Sequence, residues 1–317
     1  VTQEACVALW KRWTVACATS LVVASAGLAA AGVAGAAPLP FSVPATPALP
    51  PLPEPLRTWL TPPVPSREAL TKSFASFQKS LATTTPGAIG LALAPVGSDS
   101  VISVGTFTTG RAWSTLKVPV SLAAERRLGS AVLDDETNAI TVSDNDAAGD
   151  LWTQLGPGAT PVDAVTAVLR EGHDLNTHVS SQLDSATSYP GYTMWALADQ
   201  AIFGAHLPCM PGTDRLLALM GAVGPNQRWG VANLARTNQK VSATAVKGGW
   251  GPGTGTSSAF LVRQLGIITV PGGQVAVSMA AVPRSGKFSD GTTMLTKIGE
   301  WIGRNLSAVP TGRCGVG

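Results

Sequence analysis

The last third of the chain constrains the fold most. VSATAVKGGWG, SSAFLVRQLGIITV and QVAVSMAAV are β-branched, alternating runs, and Pro271, Gly272 and Gly273 between the last two leave room only for a tight turn. Strands joined so closely pair antiparallel, because a parallel crossover needs a dozen residues or more. A second hairpin is expected far upstream, where AIGLALAP and VISVGTF flank the turn residues GSDS. Between the two strand groups the chain reads as helices: WSTLKVPVSLAAERRLG, DNDAAGDLWTQLG, VDAVTAVLREG, YTMWALADQAIFG and TDRLLALMGAVG, with glycine as the stop signal. Two amphipathic helices flank everything. Ser66 caps the first, with Leu70, Phe74, Phe77 and Leu81 as its stripe, and Asp290 opens the second, with Leu295, Ile298, Ile302 and Leu306 on one face. The order helix, two strands, helices, three strands, helix predicts an α+β domain. Its five-stranded antiparallel sheet is built from both ends of the chain and flanked by the terminal helices, with an all-helical subdomain inserted.

Upstream of that domain the text changes character. Lys11 and Arg12 precede a charge-free run from Thr14 to Ala37 that ends in the small residues Ala34, Gly35 and Ala36, so residues 1–36 read as a secretory signal peptide. The run is also long enough for an uncleaved membrane anchor. Residues 37–66 are proline-dense, unable to form a ladder or a helix, and read as a linker: a spacer from membrane or wall, or a leader remnant. Residues 67–317 form the domain. With the leader gone, Cys209 and Cys314 are the cysteines that remain, and in an oxidising compartment they are expected to form one bridge tying down the C-terminal tail.

Composition narrows the partners. Lys and Arg total 22 against 19 Asp and Glu, a net charge of +3, too weak a field to gather nucleic acid or an anionic membrane. A small-molecule or peptide substrate fits better, acted on by a monomer outside the cytoplasm, with membrane contact only through an uncleaved leader. Metal chemistry finds no support in the spacing: His173, His178 and His206 do not form H-E-x-x-H, no Cys/His cluster has zinc spacing, and no cofactor is expected. There is no G-x-S-x-G elbow. GPGTGTSS lacks the lysine of a phosphate-binding loop and reads as a turn between strands, and the tryptophans read as packing.

Three short motifs carry the chemistry. Ser114 stands three positions before Lys117 in STLK, Ser143-Asp144-Asn145 precedes an alanine-rich helix, and Lys247-Gly248-Gly249 closes a strand. Each has a bland reading as a helix start, a helix cap or a glycine turn. In this order and context, however, they resemble S-x-x-K, S-D-N and K-T-G, the signatures of the penicillin-recognising serine enzymes, the class A β-lactamases and D,D-peptidases. The resemblance spans residues 67 to 307. It implies a β-lactamase/transpeptidase-like fold and an acyl-enzyme on Ser114, formed from a β-lactam or a D-Ala-type cell-wall peptide. A serine hydroxyl needs a base, and a lysine serves only when neutral, so Lys117 is expected to be buried near a second cation, Lys247. By resemblance Ser143 shuttles a proton to the leaving nitrogen, Asn145 holds the substrate amide, Lys247 attracts its carboxylate, and the backbone N–H groups of Ser114 and Trp250 form the oxyanion hole. Gly248 and Gly249 are expected to leave the strand edge open for a ligand to add as a strand.

The departures limit the activity. Gly248 replaces a hydroxyl residue that helps bind substrate carboxylate, and the first two motifs lie closer together than in class A enzymes, implying a reduced helical subdomain. Class A enzymes place a deacylating glutamate in E-x-x-L-N. Here EGHDLN matches at Leu175 and Asn176 but has Gly172 at the acid position, leaving Glu171, Gln182 and Asp184 as candidates. Acylation with slow release is the expectation, against the alternative of a non-turnover module that binds cell-wall peptide or a protein partner.

Overall fold

The computed structural model describes residues 67–253 and 259–315. The leader, the proline linker, residues 254–258 of the GPGTGTSS segment and the last two residues lie outside the described residues.

The sheet is antiparallel, with five strands in the order β2-β1-β7-β6-β5. β1 (Gly87–Pro95) and β2 (Ile102–Gly105) form the upstream hairpin, and β5 (Ala243–Pro252), β6 (Phe260–Val270) and β7 (Gly273–Pro283) form the downstream meander. β1 closes on β7 from Gly87 opposite Pro283 to Pro95 opposite Val275, so the two ends of the chain share one sheet as the pattern demanded.

Alternation along these strands sorts the two faces. Ile89, Leu91 and Leu93 of β1, with Val275, Val277 and Met279 of β7, point towards Leu70 and Phe74 of α1 (Arg67–Thr84) and towards Leu295, Ile298 and Trp301 of the C-terminal helix, Phe288–Arg304. The opposite face presents Ala92, Ala94, Ala276 and Ala280. These small side chains let a central helix, Leu197–His206, pack closely through Ala201 and Ala205.

The inserted helical region runs through a 3₁₀ turn (Trp113–Leu116), α2 (Lys117–Leu128), α3 (Leu133–Thr141), α4 (Asn145–Gln154), α5 (Thr160–Glu171), then α6 (Leu197–His206) and α7 (Asp214–Gly221). Leu122, Ile140, Leu151 and Leu169 meet in its core. α3 carries no periodic apolar stripe and has no counterpart among the sequence-based expectations. The segment YTMWALADQAIFG is helical only from Leu197; Met194–Ala196 is β4, paired with β3 (Thr109–Arg111). That pairing drives Trp195 into full burial with its indole N–H on Asp174 Oδ2 at 2.8 Å, a tertiary contact that overrides local helical preference. Cys209 and Cys314 are bonded, with Cα atoms 5.2 Å apart, and the tail is fixed as expected. Among the described residues no helix is long and apolar enough to cross a membrane.

Candidate active site

The turn that carries Ser114 is held from below. Thr115 Oγ1 donates to Ala112 O at 2.6 Å and accepts from Gln200 Nε2 at 2.9 Å, while Gln200 Oε1 accepts from Arg263 and from Ser278. Trp113 sits at φ +49°, a left-handed conformation rare for a bulky side chain, one residue before Ser114. Three residues per 3₁₀ turn stack Ser114 over Lys117. Against this turn lies β5, an edge strand with one side unpaired. A Cβ on Gly249 would fall 3.1 Å from Ser114 N and 2.8 Å from Ala112 O, so glycine is required for the strand to approach the backbone of that turn. Gly248 N–H donates out of the sheet, to Gln227 Oε1. N–H groups two apart on a strand point the same way, so that of Trp250 also faces the free edge, where the oxyanion donor is expected.

Lys117 and the SDN turn form one unit. Lys117 Nζ donates to Ser143 O at 2.7 Å, Asp144 O at 2.7 Å and Asn145 Oδ1 at 2.8 Å, with Ser143 Oγ at 3.5 Å. Asp144 takes the bland role: its carboxylate caps α4 by accepting from Asp146 N and Ala147 N. Ser143, at φ +63°, is turned away from the helix and towards the lysines. Lys247, fully buried, donates to Ser143 Oγ at 2.9 Å, to Gly248 O at 3.0 Å and to Gln227 Oε1. The Ser143 hydroxyl therefore accepts from Lys247, with Lys117 Nζ 3.5 Å away, and its own proton remains available to give away.

Electrostatics follow burial. Desolvation lowers the Lys117 pKa to about 7, although Asp144 and Asp146 oppose the shift. Lys247 is lowered well below its usual value, first by complete burial and then by the charge of Lys117. In the resting arrangement three acceptors fill the Lys117 ammonium. The Ser114 hydroxyl, half-buried, has no hydrogen-bond partner among the described residues and is joined to neither lysine. Lys117 must lose a proton and release an acceptor before it can act on Ser114.

The expectation of an uncrowded strand edge at Gly248 and Gly249 is corrected. A Cβ on Gly248 would lie 2.6 Å from Trp229 Cζ2, and its N–H is already taken by Gln227. These glycines admit a tryptophan on one side and the Ser114 turn on the other. Gln227 is the site residue that the sequence hid. Fully buried, it donates Nε2 to Ile140 O and Thr141 O and offers Oε1 to Lys247 and Gly248, with no motif to announce it.

None of the three acid candidates joins this network. Glu171 is ion-paired to Arg126, nine residues beyond Lys117 on α2 and so about 14 Å along its axis. Asp184 accepts from Ser181 N and pairs with His178, and Gln182 is exposed. The histidines are less scattered than their spacing suggested: His173 and His206 meet at Asp99, on segments far apart in the chain.

Neither a known sequence family nor any curated protein matches this chain. Solved structures do. A β-lactamase from Sphaerobacter thermophilus superposes with TM-score 0.56 at 16% identity, covering 74% of this chain and 97% of that one. The TLA-1 extended-spectrum β-lactamase gives 0.57 at 14%, covering 75% and 99%, and PBP-A gives 0.55 at 18%, covering 75% and 96%. The fold is that of the β-lactamase and transpeptidase-like serine hydrolases. Within that class the neighbours include both class A β-lactamases and PBP-A, so the fold alone does not choose between them, and the chemistry must be argued from the side chains.

Proposed function

We propose that the protein is an exported, monomeric serine acyl-transferase of the β-lactamase and D,D-peptidase type, taking β-lactams or D-Ala-type cell-wall peptides onto Ser114. The observation that carries this reading is the Ser143 hydroxyl set between two buried lysines, beside a Ser114 hydroxyl with no hydrogen-bond partner among the described residues and the outward-facing Trp250 N–H of β5. Burying two ammonium groups without a carboxylate hydrogen-bonded to either is costly, and a fold keeps such a cluster where it has work to do. In the forward step neutral Lys117 accepts the Ser114 proton as Oγ attacks the carbonyl. The N–H groups of Ser114 and Trp250 receive the developing oxyanion, and Ser143 passes a proton to the leaving nitrogen, replenished from Lys117. Lys247 supplies the positive field for the substrate carboxylate and Asn145 the amide contact. With Glu171 engaged by Arg126 and Asp184 by His178, neither of these two acids is free to activate water, which supports slow deacylation.

A second reading, a module that binds without reacting, draws on the filled Lys117 ammonium and on Trp229 occupying the space of the missing hydroxyl residue at Gly248. Incubation with a fluorescent penicillin and a chromogenic cephalosporin separates the two. One label per chain with little colour, abolished in Ser114→Ala, is the expected result; rapid colour identifies a β-lactamase, and an unlabelled wild type leaves the binding module.

A further inference from the structure

Three side chains that acyl transfer does not use meet near the C-terminal ends of α5 and α6. His173 follows Gly172, the C-cap of α5, His206 is the last residue of α6, and Asp99 lies in the turn between β1 and β2. His173 Nδ1 and His206 Nε2 lie 2.8 Å and 2.7 Å from the same atom, Asp99 Oδ1. The imidazoles stack with centroids 3.7 Å apart and planes inclined by 22°, and the three ligand atoms lie within 4.8 Å of one another.

Each residue is placed by its own backbone. Gly97 N–H donates to Ala205 O at 2.9 Å, binding the Asp99 turn to the end of α6. The Cys209–Cys314 bridge ties the segment just beyond α6 to a tail so near that turn that a Cβ on Gly97 would lie 2.5 Å from Arg313 O. His173 is set at φ +62°, its N–H donating to Arg170 O at 3.0 Å.

An ordinary surface ion pair does not need two imidazoles aimed at one oxygen. Here both nitrogens converge on a single carboxylate oxygen, Asp99 Oδ1. We propose that Asp99, His173 and His206 bind a divalent transition-metal ion of the zinc type, with water completing the shell. Zinc lies about 2.0–2.2 Å from imidazole nitrogen and carboxylate oxygen, which at a tetrahedral angle sets ligand atoms about 3.4 Å apart. From 2.8 Å and 2.7 Å the two nitrogen–oxygen separations must open by about 0.6–0.7 Å to reach it. The flexible members are Asp99 and His173, whose side chains are 64% and 51% exposed; His206, at 13%, is the anchor. Two imidazoles and one carboxylate select zinc, cobalt, nickel or copper over magnesium and calcium, which prefer all-oxygen shells. The ion would clip the β1–β2 turn to the ends of α5 and α6.

The full chain, stripped with EDTA, is titrated with Zn²⁺ by calorimetry and with Co²⁺ by visible absorption, and melted with Zn²⁺ or Mg²⁺. The expected result is one Zn²⁺ per chain, a Co²⁺ spectrum displaced by Zn²⁺, and a Tm raised by Zn²⁺ alone. His173→Asn, which tolerates the left-handed backbone, and Asp99→Asn should each weaken Zn²⁺ at least about tenfold while keeping the metal-free Tm. Because each ligand is required independently, either variant suffices should the other misfold. Absence of saturable binding, an affinity unchanged in both variants, or an equal Tm rise with Mg²⁺ overturns the assignment.

Discussion

Among the described residues, positive charge is fully or nearly fully buried in two places and is satisfied differently in each. Under the β3–β4 ribbon, Arg263 spreads its guanidinium over Gly110 O, Arg111 O, Trp195 O and Gln200 Oε1. At the motif centre, Lys117 and Lys247 share one serine hydroxyl and lie close enough for one charge to depress the other. Burial lowers Arg263 only to about 9, so it stays a cation at neutral pH and serves as a fixed strut beneath the nucleophile turn. The same penalty brings Lys117 to about 7, where half the molecules carry a neutral amine. Burial produces a scaffold in one region and a candidate base in the other, because the intrinsic basicities differ.

The largest effect expected from this contrast is on acylation. Ser114→Ala removes covalent penicillin labelling entirely, and Lys117→Met slows it at least about a hundredfold by removing the base, measured as labelling half-time on gels. Next comes a reversal between stability and activity. Arg263→Met strands three backbone carbonyls and should cost about 3 kcal/mol in urea denaturation, whereas Lys247→Met, which removes a buried charge with no opposite partner, should stay within about 1 kcal/mol of wild type yet lose labelling. Equal destabilisation by the two substitutions would dissolve the distinction.

The pH dependence sharpens it. The neutral fraction of Lys117 falls tenfold per unit below about pH 7, so the acylation rate should climb to about that pH and then level off. Stability carries the same signature with a definite sign. Between about 7 and 10.5 the unfolded chain holds a proton on this lysine that the folded chain lacks, so the contribution of Lys117 rises with pH across that window and reaches its minimum below it. Subtracting the urea profile of Lys117→Met isolates it. The smallest effect concerns the third motif: Gly248→Thr alone should not speed acylation, because Trp229 fills the space a threonine needs, and gain should appear only when Trp229→Ala is combined with it.

The sheet was legible because alternation and turn chemistry act locally: the AIGLALAP and VISVGTF hairpin and the three late strands pair in the anticipated order. The motif residues stood out for another reason: STLK, SDN and KGG in that order resemble a known signature set, and the fold brings Lys117, Ser143, Asn145 and Lys247 together. What escaped lay in tertiary contact. Met194–Ala196 became a strand because Thr109–Arg111 offered an edge. Gln227 reached Lys247 from a short 3₁₀ turn, Pro225–Gln227, that no motif marks, and His173 met His206 only because α5 and α6 end side by side. Spacing rules see ligands on one helix or hairpin; they are blind to sets assembled from three segments.

The central claim is that the Ser114 hydroxyl becomes an acyl ester. Intact-mass spectrometry of the protein after incubation with benzylpenicillin, followed by peptide mapping, tests it directly. The account predicts a single adduct of the antibiotic's full mass, persisting for minutes or longer, on the peptide containing Trp113-Ser114-Thr115. An unmodified chain, or an adduct on any other residue, contradicts it.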